Sequence, residues 1–451
     1  MLIPETERAL LHRLATGQRE GRAPSIAGAV VRGGEQVWSH AIEATTDTQF
    51  RIGSLTKTFI AVLVMRLRDE GRLALDDPLE KHLADAPIRG VTIGQLLSHT
   101  AGLASETPGP WWERTPGELR PALADILGDG GLKHPPGHRF HYSNPGFGLL
   151  GAVVEELRGR PWAEVLQGEV LDPLEMARTS FLPRAPHAEG LAVHPWADVV
   201  MPEVVQEVGR MAPAGQLWST VEDLCRFASL LAGQADGVLS ADTVAEMREP
   251  RSAPESDSWE SSYGLGVQLQ RTPQRMLAGH TGSMPGFLCA LWVSVDDDIG
   301  GVALANTTTG LAIGALTAEL VGIVAEREPR IPAPWRPLAE VDGSLLELTG
   351  LWFWGPSGYV LKLEADRHLA LGSVSGAGSR NARFRPAGDG TWVGLNGYFA
   401  GETLRPVRDD EGQLSHLDIG SFVFTREPYD PDAPIPGDVD PDGWRSSLGP
   451  R

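Results

Sequence analysis

The pattern of apolar and polar positions changes period several times along the chain. Between residues 5 and 20 the apolar residues recur at helical spacing, and the next stretch, "SIAGAVVRGGEQVWSHA", holds two apolar runs around Gly33-Gly34. The first pattern predicts an amphipathic helix. The second predicts a β-hairpin, because paired glycines supply the positive φ angles of a tight turn. From Leu55 to Glu70 the helical period returns, with Leu55, Phe59, Val62, Leu63 and Leu67 on one side and Gly71 as terminator. Further helices are expected at 92–98, 146–158, 161–168 and 220–232. Strand-like runs resume in "YGLGVQLQR" and "GFLCALWVSVDDDIGGVALANT", before a last helix over residues 311–326. Strands at both ends of a helical middle imply one sheet, built from the two termini of a large α+β domain.

The pattern breaks at "EREPRIPAPWRPL" (326–338), whose four prolines in thirteen residues describe a stiff, extended linker. Beyond it come short alternating strands with turn residues at short, regular intervals, the signature of a small antiparallel β-barrel or sandwich. The expected plan is a catalytic domain at 1–326, a linker at 327–341, a β domain at 342–428, and a poorly ordered acidic tail at 429–451.

Composition narrows the function classes. At 451 residues, with 41% hydrophobic and 22% charged residues, the chain has material for more than one core. A net charge of -20 argues against nucleic acid and anionic membrane as partners, and leaves small or peptidic molecules. Cys225 and Cys289 each sit in an apolar run and read as small buried hydrophobes. The N-terminal stretch lacks the basic start and apolar run of a secretory signal, and no window could span a membrane, so a cytoplasmic monomer is expected. His134, His138 and His141 are spaced for a metal, but their segment has another explanation below. Neither metal nor cofactor is expected.

The candidate chemistry begins at "RIGSLTKTF" (51–59). Only four lysines occur in the chain (Lys57, Lys81, Lys133 and Lys362), so Lys57, three residues after Ser54, is a poor match for generic surface charge. Ser54 reads first as a helix N-cap. Residues i and i+3 share a helix face, however, so the Lys57 amine can reach the serine hydroxyl. A lysine at a helix N-terminus in a desolvated site loses proton affinity, and a neutral amine beside a serine makes an activated nucleophile. Downstream, Tyr142 and Asn144 are placed to face one space, and the glycines of "GHTGSMPGF" let a strand run close beside a substrate, with His280 aimed at the same site. No Gly-x-Ser-x-Gly elbow occurs.

Ser54-x-x-Lys57, Tyr142-Ser143-Asn144 and His280-Thr281-Gly282 resemble the three motifs of the penicillin-binding-protein and class C β-lactamase superfamily. The flanks "LLSHTAGL", "PPGHRFHYSN" and "PAGQLWSTVEDLCRFASLL" agree, and the likeness covers residues 22 to 326. It implies a class C β-lactamase/DD-peptidase-like α+β domain, here followed by a small lipocalin-like barrel. It also implies Ser54 as acylated nucleophile, Lys57 as its base, Tyr142 as a second acid/base, Asn144 as a substrate contact, and the amides of Ser54 and Ser283 as oxyanion hole beside Gly282. His280 replaces the commoner lysine of the third motif, as in actinobacterial DD-carboxypeptidases of the superfamily.

Trp111-Trp112 on a Pro- and Gly-rich loop, Trp218, and Arg426 at the end of the last barrel strand are further candidates for substrate contact. The resemblance leaves the acyl acceptor open. One reading is a penicillin-binding-protein-type thioesterase, of the kind found in surugamide-like pathways. It would take a peptide with a C-terminal D-residue from a peptidyl carrier protein and close it head to tail. The others are a D-stereospecific peptidase or DD-carboxypeptidase, and a small-ester hydrolase.

Overall fold

A computed structural model describes residues 2–235, 237–252, 260–341, 343–376 and 380–428; the tail expected at 429–451 lies outside the described residues. The chain divides between Arg330 and Ile331 into two compact units.

The first unit is organised by a seven-stranded antiparallel sheet, in the order Glu35–Ile42, Ile26–Arg32, Ile299–Ala305, Phe287–Ser294, Met276–Met284, Gln268–Arg271, Ser261–Tyr263. The two ends of the unit meet where Ile26 pairs with Ala305. Gly33 and Gly34, at φ +60° and +80°, make the tight turn of the first hairpin.

Central strands are buried on both faces, and their period of two sorts side chains into two cores. Ile26 and Val30 meet Leu10, Leu14, Leu316 and Leu320 of the terminal helices Pro4–Glu20 and Ile313–Arg327. Ala27, Ala29, Val31, Cys289 and Leu291 instead face the helical middle. There the helix Thr56–Asp69 has eleven buried residues, so it runs through the core, and Phe59 stacks on Phe227 at 3.7 Å. Cys225 and Cys289 are both buried and unpaired. No helix among the described residues is long and apolar enough to cross a membrane.

"MLAGHTGSM" forms a full nine-residue strand, although its glycines lower its intrinsic strand propensity. The glycines are there because neighbours come too close for a side chain. A Cβ on Gly279 would lie 1.9 Å from the Leu291 carbonyl oxygen, and one on Gly282 would lie 2.0 Å from that of Ile52.

The second unit begins with a short helix, Gly343–Leu348, which the alternating pattern did not announce. Eight strands follow in simple meander order from Gly350–Trp354 to Phe422–Phe424. Paired backbone bonds between Phe353 and Thr425 (2.7 and 2.9 Å) join the last segment to the first, so the sheet is a nearly closed barrel. Trp352, Leu361, Phe384, Phe399 and Phe424 fill it.

Candidate active site

Ser54 does not cap the helix. It lies in a tight turn, Gly53–Leu55, just before Thr56–Asp69, and no side-chain cap bond forms at either start. The expectation of an N-cap is therefore corrected. The hydroxyl is held by Lys57 instead, whose Nζ lies 2.9 Å from Ser54 Oγ and donates to the Ala214 carbonyl at 2.7 Å.

Lys57 is fully buried and sits 5.1 Å above the Tyr142 ring and 5.9 Å above that of Phe147. Burial strips water from its ammonium and pulls the pKa down to about 7, against the opposing pull of Glu106 and Glu113. Desolvation is thus the dominant cause here. An amine that loses its proton near neutrality can take one from the serine across a 2.9 Å contact.

Two glycines bring the Ser54 turn against the third-motif strand. Gly53, at φ +52°, leaves no room for a Cβ, which would lie 2.6 Å from the Ser283 carbonyl oxygen. A Cβ on Gly282 would likewise lie 3.1 Å from the Ser54 amide nitrogen. The backbone amides of Ser54 and Ser283 are therefore neighbours, two donors of the kind that a developing oxyanion needs.

The second motif enters from the opposite side. The Tyr142 hydroxyl is hydrogen-bonded to Ser54, and burial pushes its pKa up, so it stays a neutral proton carrier. Ser143 caps the helix Asn144–Arg158 by accepting from the Gly146 amide at 3.2 Å. Its own amide donates to His99 Nδ1 at 3.0 Å, and the His99 ring lies 4.2 Å from that of Tyr142. Asn144, nearly buried, donates from Nδ2 to Glu106 Oε1 at 2.8 Å.

His280 joins the same aromatic cluster without offering a free nitrogen. Nδ1 donates to the Thr281 carbonyl at 2.5 Å, which leaves Nε2 to accept from the Tyr263 hydroxyl at 2.9 Å. Burial and the nearby Lys57 hold its pKa down at about 3, so the ring is neutral. His280 was expected to be aimed at the site; both of its ring nitrogens are committed to protein groups and it is fully buried.

Two other candidates lie outside this chemistry. Trp218 is 1% exposed, pairs across a strand with Arg51 and packs at 5.0 Å against Phe287, so it is core and not a substrate contact. Arg426 stacks 3.7 Å over Trp352 and donates to the carbonyls of Thr349, Leu351 and Glu347, all in its own unit. Its guanidinium closes the barrel, which corrects the substrate-clamp expectation. Trp111 and Trp112 separate: Trp111 is 56% exposed, while Trp112 is buried and donates to Glu106 at 2.6 Å. His141 bonds the carbonyl of Leu103, in a distant segment, at 2.7 Å.

The sequence reading missed Glu106, Ala214, His99 and Tyr263. His99 and Ala214 stood inside quoted flanks, "LLSHTAGL" and "PAGQLWST"; Glu106 and Tyr263 carried no signal, because only folding brings their loop and strand here.

A cavity of about 880 Å³ is lined by Gly148, Gly151, Trp162, Phe181 and Pro213 but by none of the residues around Ser54. The geometry of the chemical groups, and not cavity size, locates the site.

Comparisons with known proteins bear on the family and the fold. Residues 8–326 match the Beta-lactamase family, and residues 341–426 match a domain of unknown function, DUF7586. Penicillin-binding protein 4 of Amycolatopsis lactamdurans is 31% identical over 322 residues, 65% of this chain and 82% of that protein. Among solved structures, SurE is 27% identical with a TM-score of 0.58, covering 94% of this chain and 99% of that one. A D-stereospecific amidohydrolase from Streptomyces sp. is 25% identical with a TM-score of 0.59, covering 72% and 99%. With a serine–lysine pair, a tyrosine and a glycine-lined strand assembled on this sheet, and a family match across most of the chain, the protein belongs to the Beta-lactamase family.

Proposed function

We propose that the protein is a serine acyltransferase that forms an acyl-Ser54 intermediate. Its acyl donor is a peptidyl thioester with a C-terminal D-residue, presented by a peptidyl carrier protein, and it releases the peptide by head-to-tail closure. The observation that carries the acyl-enzyme chemistry is the buried Lys57 amine, 2.9 Å from Ser54 Oγ, with a pKa pulled down to about 7.

In this reading Lys57 Nζ takes the Ser54 proton as Oγ attacks the thioester carbonyl. The oxyanion forms against the Ser54 and Ser283 amides. The C–S bond breaks, and the proton passes through the Tyr142 hydroxyl to the leaving thiolate. In the second half the peptide's own N-terminal amine attacks the acyl-Ser54 ester. It gives its proton back through Tyr142 and Lys57, and Ser54 Oγ leaves as the hydroxyl. His99 and His280, both neutral, hold the Tyr142 ring and the strand in place.

The choice of acceptor is supported by the likeness to SurE, which runs through both units and not the catalytic one alone. The likeness to a D-stereospecific amidohydrolase, confined to less of the chain, favours a second reading in which water is the acceptor and the product is a linear D-peptide. Both readings accept a D-residue at the acyl carbon.

The test is mass spectrometry of products from a peptidyl-N-acetylcysteamine thioester ending in a D-residue. Cyclic peptide is expected, and linear acid alone would replace the cyclase reading with the hydrolase. Ser54→Ala is expected to abolish covalent labelling by a fluorophosphonate; labelling that persists at another residue would remove Ser54 from the role.

A further inference from the structure

The eight strands of the second unit pair antiparallel throughout. The chain therefore turns between strands one and two, three and four, five and six, and seven and eight at the same end of the barrel. Each of these turns brings one side chain to a single cluster. Trp354 ends the first strand and Phe422 begins the eighth, with ring centroids 5.1 Å apart. Tyr398, in the short turn Gly397–Phe399, lies 5.6 Å from Phe422 and is 59% exposed. Arg380, just before the strand Ala382–Pro386, sets its guanidinium 4.4 Å over Trp354, 5.2 Å over Phe422 and 5.4 Å over Tyr398. Trp354 and Phe422 each stand two positions from a fully buried ring, Trp352 and Phe424, so they face the interior of the barrel at its mouth.

The same barrel contains a structural arginine for comparison. Arg426 stacks on Trp352 and donates to three backbone carbonyls. Arg380 stacks on three rings, but among the described residues no hydrogen bond or ion pair engages it, and its Nε is buried without a partner. Glu402 is at the same end, since a Cβ on Gly420 would lie 3.5 Å from its Oε2, yet among the described residues it forms no ion pair with Arg380. A ring face attracts the charge of a guanidinium and leaves its in-plane N–H groups unspent. Withdrawing a cation partly from water without acceptors is costly, and a carboxylate, which takes two parallel N–H bonds from the guanidinium fork, removes that cost.

We propose that this mouth of the barrel is a binding site for a small organic carboxylate with an aromatic body. The N–H groups of Arg380 hold the carboxylate oxygens, and the body lies against Tyr398 and Trp354. One cation on an apolar floor balances one negative charge, and in a chain of net charge -20 this favours a monoanion over a phosphate dianion. The mouths of small barrels are concave and suited to such ligands. The site belongs to the second unit and does not rest on the acyl-Ser54 reading.

The experiment is calorimetric titration of the full chain with 1-naphthylacetate and with 1-naphthylacetamide, which has the same body without the charge. The carboxylate is expected to bind at least about tenfold more tightly than the amide. Arg380→Gln should bring the carboxylate down to the affinity of the amide. Arg380→Lys, which keeps the charge and loses the planar fork, should fall between the two. Tyr398→Ala, at an exposed ring, should weaken both probes alike, by about threefold. 1-Naphthyl phosphate should bind more weakly than the acetate. Equal affinity for acetate and amide, no binding of the acetate, or a phosphate that binds more tightly than the acetate overturns the proposal. So does an Arg380→Gln chain that melts at the unmodified temperature and binds the acetate as before. If Arg380→Gln does not fold, Arg380→Lys and Tyr398→Ala carry the test: unchanged acetate affinity in both places the ligand elsewhere.

Discussion

Lys57 and Arg426 are two cations that sequence motifs nominate for one site, and their surroundings put them to different uses. Around Lys57 the chain offers one carbonyl, one hydroxyl and two aromatic faces, and full burial. Around Arg426 it offers three carbonyls and the Trp352 ring, at the point where the barrel's last segment meets its first. An ammonium can lose a proton when water is removed, whereas a guanidinium keeps its charge and forms hydrogen bonds. Burial therefore lowers the proton affinity of the first and makes the second a fastener. The charge on a side chain says little about its task until its partners are known.

The sharpest way to break this contrast is to remove the lysine. Lys57→Ala is expected to slow acylation of Ser54 by roughly a thousandfold, within the range for loss of a general base. Lys57→Arg should not restore the rate, because a guanidinium stays protonated; stopped-flow acylation at neutral pH distinguishes these outcomes, and a fast Lys57→Arg would refute the base role.

The pH profile gives a gentler test. Lys57 is active when neutral, and its proton leaves near pH 7, so kcat/KM should rise through that pH as the amine deprotonates. The same shift has a sign for stability. The folded pKa lies below the unfolded 10.5, so the unfolded chain binds more protons between about 7 and 10.5, and stability should increase with pH across that window. A flat profile for kcat/KM between pH 6 and pH 8 would count against the amine.

Arg426→Ala probes the other half. It removes hydrogen bonds to three carbonyls and a ring stack, and about 1–3 kcal/mol of stability should go from the barrel unit. Acylation by a small thioester should remain at its starting rate. A loss of acylation without a loss of thermal stability would return Arg426 to the substrate. The smallest effect is expected for Trp218→Phe: the indole N–H has no partner among the described residues, so the change is a modest loss of packing volume, under about 1.5 kcal/mol by denaturant titration.

The sheet and the central helix were legible because each is written in a local period. Alternation in "SIAGAVV" and "GFLCALWVSV", with both faces apolar, can satisfy only a strand between two layers. The three motifs were legible because their spacing puts paired groups on one helix face or one turn. What the pattern did not carry was the environment of each group. Ser54 looked like a cap, and its hydroxyl is instead engaged by Lys57 and Tyr142. His280 was expected to be aimed at the site, and Tyr263, seventeen positions earlier, occupies its second nitrogen.

The positions of the strands along the chain, the placement of Ser54 before a helix and the presence of a lysine one turn later all follow from residues close together in the chain. Local sterics and side-chain period act over a few positions, and they leave the same trace in any context. The depressed proton affinity of Lys57, the glycine contact that sets two amides side by side, and the carboxylate that holds Asn144 arise from groups far apart in the chain, such as Asn144 with Glu106 and Gly53 with Ser283. Desolvation and hydrogen-bond geometry depend on what fills the space around an atom, and that is settled when distant segments pack together.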